Sequence, residues 1–150
     1  MYHHIVIPTD GSPLSELAID QGLELARSIG ARLTLVTVIE PFRVFAVLPA
    51  EVAETRTDYL ERMHEYANGL LAAGAAKAKA AGVIHDTRIV ESDQPYRAII
   101  DTAAEQGADL IAMASHGRRG ISGLVLGSET VKVLTHSTVP VLVYRQAAAA

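Results

Sequence analysis

Short apolar runs alternate with helical patterns along the chain, and this alternation constrains the fold more than any other feature of the sequence. Apolar, largely β-branched runs at 5–7 and 33–39 predict the first two strands, and runs at 84–90, 109–113 and 139–144 predict the other three. Strands that alternate with helices in this way form parallel sheets with right-handed crossovers. The sequence therefore predicts an α/β fold, a doubly wound five-stranded parallel sheet with helices on both faces, for which we expect the strand order 3-2-1-4-5.

The helices are marked by their caps as well as by apolar spacing. The first has Ser12 as its N-cap and Gly30 as its C-terminal cap, a third begins after the turn at 92–95, and a fourth begins at Ser128. The second helix is long, from about 51 to 81, and rich in alanine, which suits a helix lying close against a sheet. Its larger apolar side chains are expected to face the core: Val52, Tyr59, Leu60, Met63, Tyr66, Leu70 and Leu71.

Length and composition exclude several classes of protein. The 150 residues suit a single domain, which we place at 1–146, followed by a frayed alanine tail at 147–150. Acidic residues outnumber basic ones by 17 to 13, so we expect no nucleic-acid partner and no membrane partner. The absence of cysteine excludes disulfides, thiolate zinc sites and cysteine nucleophiles. Without an export signal or an apolar stretch of about 18–20 residues, the chain is expected to be soluble and cytoplasmic.

Two strand exits carry small and polar residues where an open parallel sheet binds its ligands, beyond the carboxyl ends of the strands. The segment 8–12 follows the first strand, and 114–120 follows the fourth. In the first of these, Asp10 could accept hydrogen bonds from a ribose or an adenine, or it could cap the backbone of its own turn. If the two strands are neighbours, both loops line one crevice.

The second loop has the composition of a phosphate cradle. Two glycines, at 117 and 120, allow the backbone amides to converge, and Arg118 and Arg119 between them supply positive charge. Gly127 and Ser128 then begin a helix, whose positive N-terminal end favours an anion. The alternative is that the glycines only allow a sharp connection and that the arginines are solvated.

Other sites are less well supported by the sequence. The P-loop pattern, G-x-G-x-x-G after the first strand, G-x-S-x-G and H-E-x-x-H are all absent. His116 is the one histidine for which we consider a ligand role. Glu129 lies in the first turn of the last helix, where its charge suits the helix dipole but would repel phosphate, so only its backbone N–H is expected to face a ligand. Phe42 and Phe45 lie in a loop that forms a flap over a ligand, contacts a second subunit, or packs on its own core.

The segment 113–117, the nine residues after it and the pair Gly127-Ser128, taken with 8–12 and 139–143, resemble the universal stress protein family. Its nucleotide-binding members carry the pattern G-x2-G-x9-G-[S/T], in which Gly117, Gly127 and Ser128 fill the later positions. Ala114 replaces the first glycine. The methyl group would crowd a nucleotide if this backbone needs a positive φ or a close approach, and it costs little in ordinary strand geometry.

The resemblance implies a binding site for ATP, or for AMP or ADP, with Mg²⁺ as a candidate companion ion. The implied binding residues are Pro8, Thr9, Asp10, Val38, Met113, Ala114, Ser115, His116, Gly117, Arg118, Gly127, Ser128 and Glu129. No catalytic residue and no protein metal ligand is assigned. The resemblance also implies a homodimer through the last strand, whose apolar edge would otherwise invite aggregation: Val141, Leu142, Val143 and Tyr144.

The resemblance implies a cytoplasmic, nucleotide-binding regulator of the stress response that hydrolyses ATP slowly at most. The alternative is a family member that binds no nucleotide and acts as an interaction module for a protein partner, an interpretation that Ala114 favours. An ATP-consuming synthetase of related topology is disfavoured, because the S-G-G-x-D-S type of loop is absent after the first strand.

Overall fold

The computed structural model describes residues 1–42, 55–117 and 126–146, in which strands and helices alternate strictly. The strands are β1 (His4–Pro8), β2 (Arg32–Ile39), β3 (His85–Glu91), β4 (Leu110–Ala114) and β5 (Val141–Tyr144). The helices are α1 (Pro13–Ile29), α2 (Arg56–Ala80), α3 (Pro95–Glu105) and α4 (Ser128–His136).

All strand pairs are parallel, and the sheet has the order β3-β2-β1-β4-β5. The central strand β1 pairs on one side with β2, with Ile5 opposite Leu33, and on the other side with β4, with Ile5 opposite Leu110. The direction of winding reverses between β1 and β4, which creates a crevice at their carboxyl ends. The predicted fold class and strand order are confirmed.

Alternate residues of the strands feed two separate cores. Ile5 and Ile7 of β1 are fully buried in a core that also contains Leu23 of α1 and Leu71 of α2, whereas Val6 faces a second core. That second core lies under α3 and α4 and is formed by Val6, Val36, Ile99, Ala103, Ala108, Ile111, Met113 and Val133. Strands with apolar side chains on both faces suit a sheet that is covered on both sides.

Of the larger side chains predicted to face the core, Leu71 is buried as expected, and small residues bring the rest of α2 against the sheet. The buried residues of this helix are Ala67, Leu71, Gly74 and Ala78. A methyl group at Gly74 would lie 2.5 Å from Leu35 Cδ1, which shows how closely the helix approaches β2. The prediction that Tyr66 faces the core is wrong: the residue is 40% exposed, because its ring extends over the β1–α1 loop. The predicted start of α2 near 51, and Val52 with it, lie outside the described residues.

The predicted strand boundaries differ from the structure by one or two residues, as at the starts of β3 and β5. Ile84 was expected to open the third strand, but it is 76% exposed and β3 begins at His85. The fifth strand begins at Val141 and not at 139. The expected alanine tail at 147–150 lies outside the described residues.

At the amino-terminal edge of the sheet, the buried His4 side chain is satisfied on both ring nitrogens. Its Nδ1 lies 3.1 Å from the carbonyl oxygen of Gln106, and since a carbonyl only accepts, Nδ1 carries the proton. Its Nε2 then accepts from the hydroxyl of Thr34 at 2.7 Å. Burial lowers the pKa of His4 below its ordinary value, and the charge of Arg32 acts in the same direction.

Candidate functional site

A cavity of about 620 Å³ opens at the carboxyl ends of β1, β2 and β4, between the starts of α3 and α4. Its apolar lining consists of Pro8, Val36, Val38, Pro95, Ile99, Met113, Ala114 and Leu126. Its polar lining and its glycines are Thr9, Asp10, Ser15, Glu40, Asp93, His116, Gly117, Gly127, Ser128, Glu129 and Thr130. The volume lies within the range typical of small-molecule sites, as does the combination of an apolar wall with a few polar groups.

The structure brings almost all of the predicted site residues together around this cavity. Pro8, Thr9, Asp10, Val38, Met113, Ala114, His116, Gly117, Gly127, Ser128 and Glu129 all line it. Ser115 is buried in the wall, where its carbonyl oxygen accepts from the N–H of Gly127 at 2.7 Å. Arg118 lies outside the described residues, as do Arg119 and Gly120.

The two loops that the sequence singled out meet in the crevice. A methyl group at Gly117 would collide with Oδ2 of Asp10. The backbone of Gly117 does not have a positive φ. A side chain at this position would therefore displace the Asp10 carboxylate, whose close approach joins the exit of β1 to the exit of β4.

The β1–α1 loop is held by its own hydrogen bonds. Asp10 Oδ1 accepts from the N–H of Ser12 at 3.0 Å, so this carboxylate caps its own turn, one of the two roles considered for it. The hydroxyl of Thr37 donates to the carbonyl oxygen of Thr9 at 3.1 Å, and the Thr9 hydroxyl lies 3.2 Å from Ser15 Oγ. The chain thus fixes this side of the cavity by itself.

Ala114 meets the condition under which alanine is tolerated at the first motif position. It is the last residue of β4, and no non-glycine residue in the described part of the chain has a positive φ. The residue is buried in the core formed by Ile5 and Ile7, and its carbonyl oxygen accepts from the hydroxyl of Thr130 at 3.0 Å. Alanine therefore causes no backbone strain here.

The start of α4 is tied to the end of β4. Gly127 is the N-cap residue, and a methyl group on it would lie 3.0 Å from the Cα of His116 and 3.3 Å from the carbonyl oxygen of Ser115. Because both neighbours are backbone atoms, they could not move aside as a flexible side chain would. Glycine at this position allows the helix to begin directly against the strand exit.

Three helices begin around the cavity, and they differ in how their first turns are satisfied. In α1 the hydroxyl of Ser12 accepts from the N–H of Ser15 at 3.2 Å. In α3 the N–H of Tyr96 donates to Oε2 of Glu129 at 2.9 Å. In α4 the cap is Gly127, and no side chain caps the first turn among the described residues. The N–H groups at the start of α4 are therefore the ones left to meet an anion in the cavity.

Glu129 connects α4 to α3 through its side chain. Besides accepting from Tyr96, its carboxylate lies 3.3 Å from Nζ of Lys132, and Nζ also lies 5.6 Å from the centre of the Tyr96 ring. The carboxylate is thus held by groups of the protein, in keeping with the expectation that only the backbone of this residue faces a ligand.

Sequence reasoning missed several residues of the lining: Ser15, Val36, Glu40, Asp93, Pro95, Ile99, Leu126 and Thr130. Val36 lies two positions before Val38 and shares its side of β2, so strand periodicity could have found it. Glu40 and Asp93 follow β2 and β3 closely, and the argument that singled out Asp10 applies to them too. Phe42 packs on its own chain, with its ring 5.5 Å from that of Tyr59, while Phe45 lies outside the described residues.

Among the described residues, no group of three or more His, Cys, Asp or Glu side chains is placed to hold a metal ion. None of the helices in the described part of the chain is both long and apolar enough to cross a membrane.

Comparison with known proteins gives a consistent result. The family model described as the universal stress protein family matches residues 1–145. The universal stress protein MJ0531 of Methanocaldococcus jannaschii is 31% identical, over 97% of this chain and 84% of that protein. The structure of the protein MJ0577 is similar with a TM-score of 0.84 at 26% identity, over 99% of both chains. A universal stress protein in complex with cAMP is similar with a TM-score of 0.71 at 26% identity, over 97% of this chain and 98% of the other. The chain belongs to the universal stress protein family.

Proposed function

We propose that this protein binds an adenine nucleotide, ATP or else AMP or ADP, in the cavity at the carboxyl ends of β1, β2 and β4. The observation that carries the proposal is the start of α4, where the glycine cap leaves first-turn amides without a side-chain acceptor beside an apolar pocket. The similar structure that contains cAMP supports an adenine ligand. The base would lie against Val36, Val38 and Ile99, and the phosphates at Gly127 and Ser128.

Mg²⁺ fits this proposal as a companion of the phosphates. Mg²⁺ is usually held by substrate phosphates, water and one or two carboxylates, so it does not need a dedicated cage of protein ligands. The site of the proposed nucleotide contains one such carboxylate close to the phosphate loop, that of Asp10, whose Oδ2 faces Gly117.

We further propose that the protein is a regulator and hydrolyses ATP slowly at most. In the described part of the phosphate loop, His116 is the one candidate general base, and its Nδ1 lies 3.3 Å from the hydroxyl of Ser115. A histidine beside phosphates can serve to contact them as readily as to activate water. The proposed role is to couple nucleotide state to stress tolerance in the cytoplasm.

Equilibrium binding of labelled ATP to protein stripped of bound nucleotide tests the proposal. We expect saturable binding by the wild type and strong losses in Gly117→Val, where the side chain would displace Asp10, and in Asp10→Ala. Gly69→Val is the matched control, because Gly69 lies on the exposed side of α2 with no atom within 4 Å of an added methyl group. A wild type that shows no saturable binding at millimolar ATP would refute the proposal.

We also propose a homodimer formed through β5. This strand is an edge of the sheet, and Leu142 on it is 37% exposed. A second copy of the edge formed by Val141, Leu142, Val143 and Tyr144 would cover its apolar side chains. Sedimentation of wild type and Leu142→Lys is the test, with a monomeric wild type as the contrary result.

The second candidate function is an interaction module that binds a protein partner and no nucleotide. Ala114 at the first motif position favours it, although the ordinary strand geometry of this residue weakens that argument. Denaturing the purified protein and analysing the supernatant for adenine nucleotide separates the two candidates. Released nucleotide supports the first, and its absence together with no ATP binding supports the second.

A further inference from the structure

Helix α2 holds the rim of the candidate site through two tyrosine hydroxyls. Tyr59 donates a hydrogen bond to the carbonyl oxygen of Glu40 at 2.9 Å, and Tyr66 donates to the carbonyl oxygen of Asp10 at 3.3 Å. Glu40 follows β2, Asp10 follows β1, and both residues line the cavity. The tyrosines are seven residues apart, two helical turns, and therefore lie on one side of α2.

The contact at Tyr66 leaves the β1–α1 loop no room to move towards the helix. A methyl group at Gly11 would lie 2.6 Å from the Tyr66 hydroxyl and 2.9 Å from Cδ2 of Leu70. The residue itself has a φ of +80°, a conformation that suits glycine. Tyr66 is 40% exposed and is not one of the buried residues of α2, so its contact with the loop contributes to fixing its position.

The ring of Tyr59 contacts two other side chains. Phe42 packs against it at a tilt of 50°, and the guanidinium carbon of Arg62 lies 5.7 Å from the ring centre. The ring is thereby fixed with its hydroxyl directed at the carbonyl of Glu40. A fixed donor loses little side-chain entropy when it makes this hydrogen bond.

Further along, α2 is anchored on the sheet by its small buried residues, including Ala67 and Gly74. These residues hold the helix close against the sheet, and its first half reaches the strand exits. From this geometry we infer that Tyr59 and Tyr66 are positioning residues for the nucleotide: they hold the backbone at Glu40 and Asp10 in the form that the ligand requires. This inference rests on the proposed function. By reciprocity, bound nucleotide stabilises the first half of α2.

The test compares Tyr59→Phe, Tyr66→Phe and the double variant with the wild type. Phenylalanine keeps the ring and removes only the hydroxyl. We expect each single variant to bind AMP and ATP about two- to tenfold more weakly, the range given by the loss of one hydrogen bond. AMP and ATP should lose affinity by the same factor, because the hydroxyls contact the strand exits and not the start of α4. Tyr2→Phe is the control, since Tyr2 precedes β1 at the opposite edge of the sheet.

Hydrogen exchange at saturating ATP gives a readout that a purely structural role would not change. In the wild type, ATP should slow amide exchange in residues 56–66, and in the double variant this slowing should disappear. Equal slowing in both proteins, or wild-type affinity in the double variant, overturns the inference and leaves the proposed function standing. A wild type that binds neither AMP nor ATP overturns both.

Discussion

The helices α1 and α4 begin in the same structural setting, but the N–H groups of their first turns are capped differently. Each follows a strand next to the switch point, α1 after β1 and α4 after β4, and each contributes to the same cavity. At α1 the Ser12 hydroxyl accepts from a first-turn amide. At α4 the cap is Gly127, which has no side chain to do so.

This difference separates polar groups that receive a hydrogen bond within the chain, called satisfied groups, from helix N–H groups that have no side-chain acceptor, called open groups. A satisfied group contributes to the free energy of unfolding, and changing it should cost stability. An open group at a helix N-terminus contributes little to the fold and is available to an anion, so changing it should cost binding. The comparison therefore predicts which residues can be changed to affect one property without the other.

The largest effect is expected from Gly127→Asp, which gives α4 a charged cap of its own. The carboxylate would satisfy the first-turn amides and would repel phosphate, and like charges in contact cost several kcal/mol. We expect ATP affinity to fall by about 100-fold or more. Calorimetric titration with ATP measures the change.

Gly127→Ala is the matched variant, because it introduces the same Cβ near the His116 backbone without the charge. It should lose about tenfold or less, the cost of a small backbone shift. Equal losses in the two variants would show that packing, and not the open amides, controls affinity.

A moderate effect, on stability and not on binding, is expected from Ser12→Ala. Removing an N-cap side chain typically costs about 1 kcal/mol of folding free energy. Urea unfolding of nucleotide-free protein should show this loss, with ATP affinity within about threefold of the wild type once measured well below the unfolding midpoint. The comparison between α1 and α4 fails if Ser12→Ala weakens ATP binding as much as Gly127→Asp does.

The parts of this molecule that sequence predicts well are those with local signals. Strand runs, the Ser12 cap and the glycine-rich strand exits gave the fold and most of the cavity lining. The position of Tyr66 was missed because helical spacing identifies apolar residues without showing which of them crosses to a neighbouring loop. The contact from Glu129 to Tyr96 was missed because it joins helices 33 residues apart in sequence. Glu40 was missed because its strand exit lacks the glycines and small polar residues that mark the other two, although it too directly follows a strand.

The buried His4, whose two ring nitrogens are both hydrogen-bonded and which lies at the opposite end of β1 from the cavity, is expected to make the stability of the protein depend on pH. Burial holds its pKa in the folded state below the ordinary value of 6.5, and Arg32 adds to this effect. Below pH 6.5 the unfolded chain therefore binds a proton more readily than the folded chain. The free energy of unfolding should fall as the pH is lowered from about 7 through this range.

Urea unfolding at a series of pH values between about 5 and 7.5 measures this slope. In His4→Gln the slope should be shallower, whereas the exposed His64→Gln should keep the slope of the wild type. If His4→Gln and the wild type have parallel pH profiles, the buried histidine makes no contribution.

The smallest effect is expected from Ala114→Gly, which restores the first glycine of the family's nucleotide-binding pattern. If the methyl group crowded the ligand, its removal would strengthen binding markedly. The residue has ordinary strand geometry and packs into the core with Ile5 and Ile7, so ATP affinity should change by less than about threefold. Glycine inside a strand costs roughly 0.5–1 kcal/mol of stability relative to alanine. A variant that is less stable by this amount and binds ATP like the wild type would show that the Ala114 methyl group supports the fold and does not affect binding. A tenfold gain in affinity would show that the methyl group limits binding.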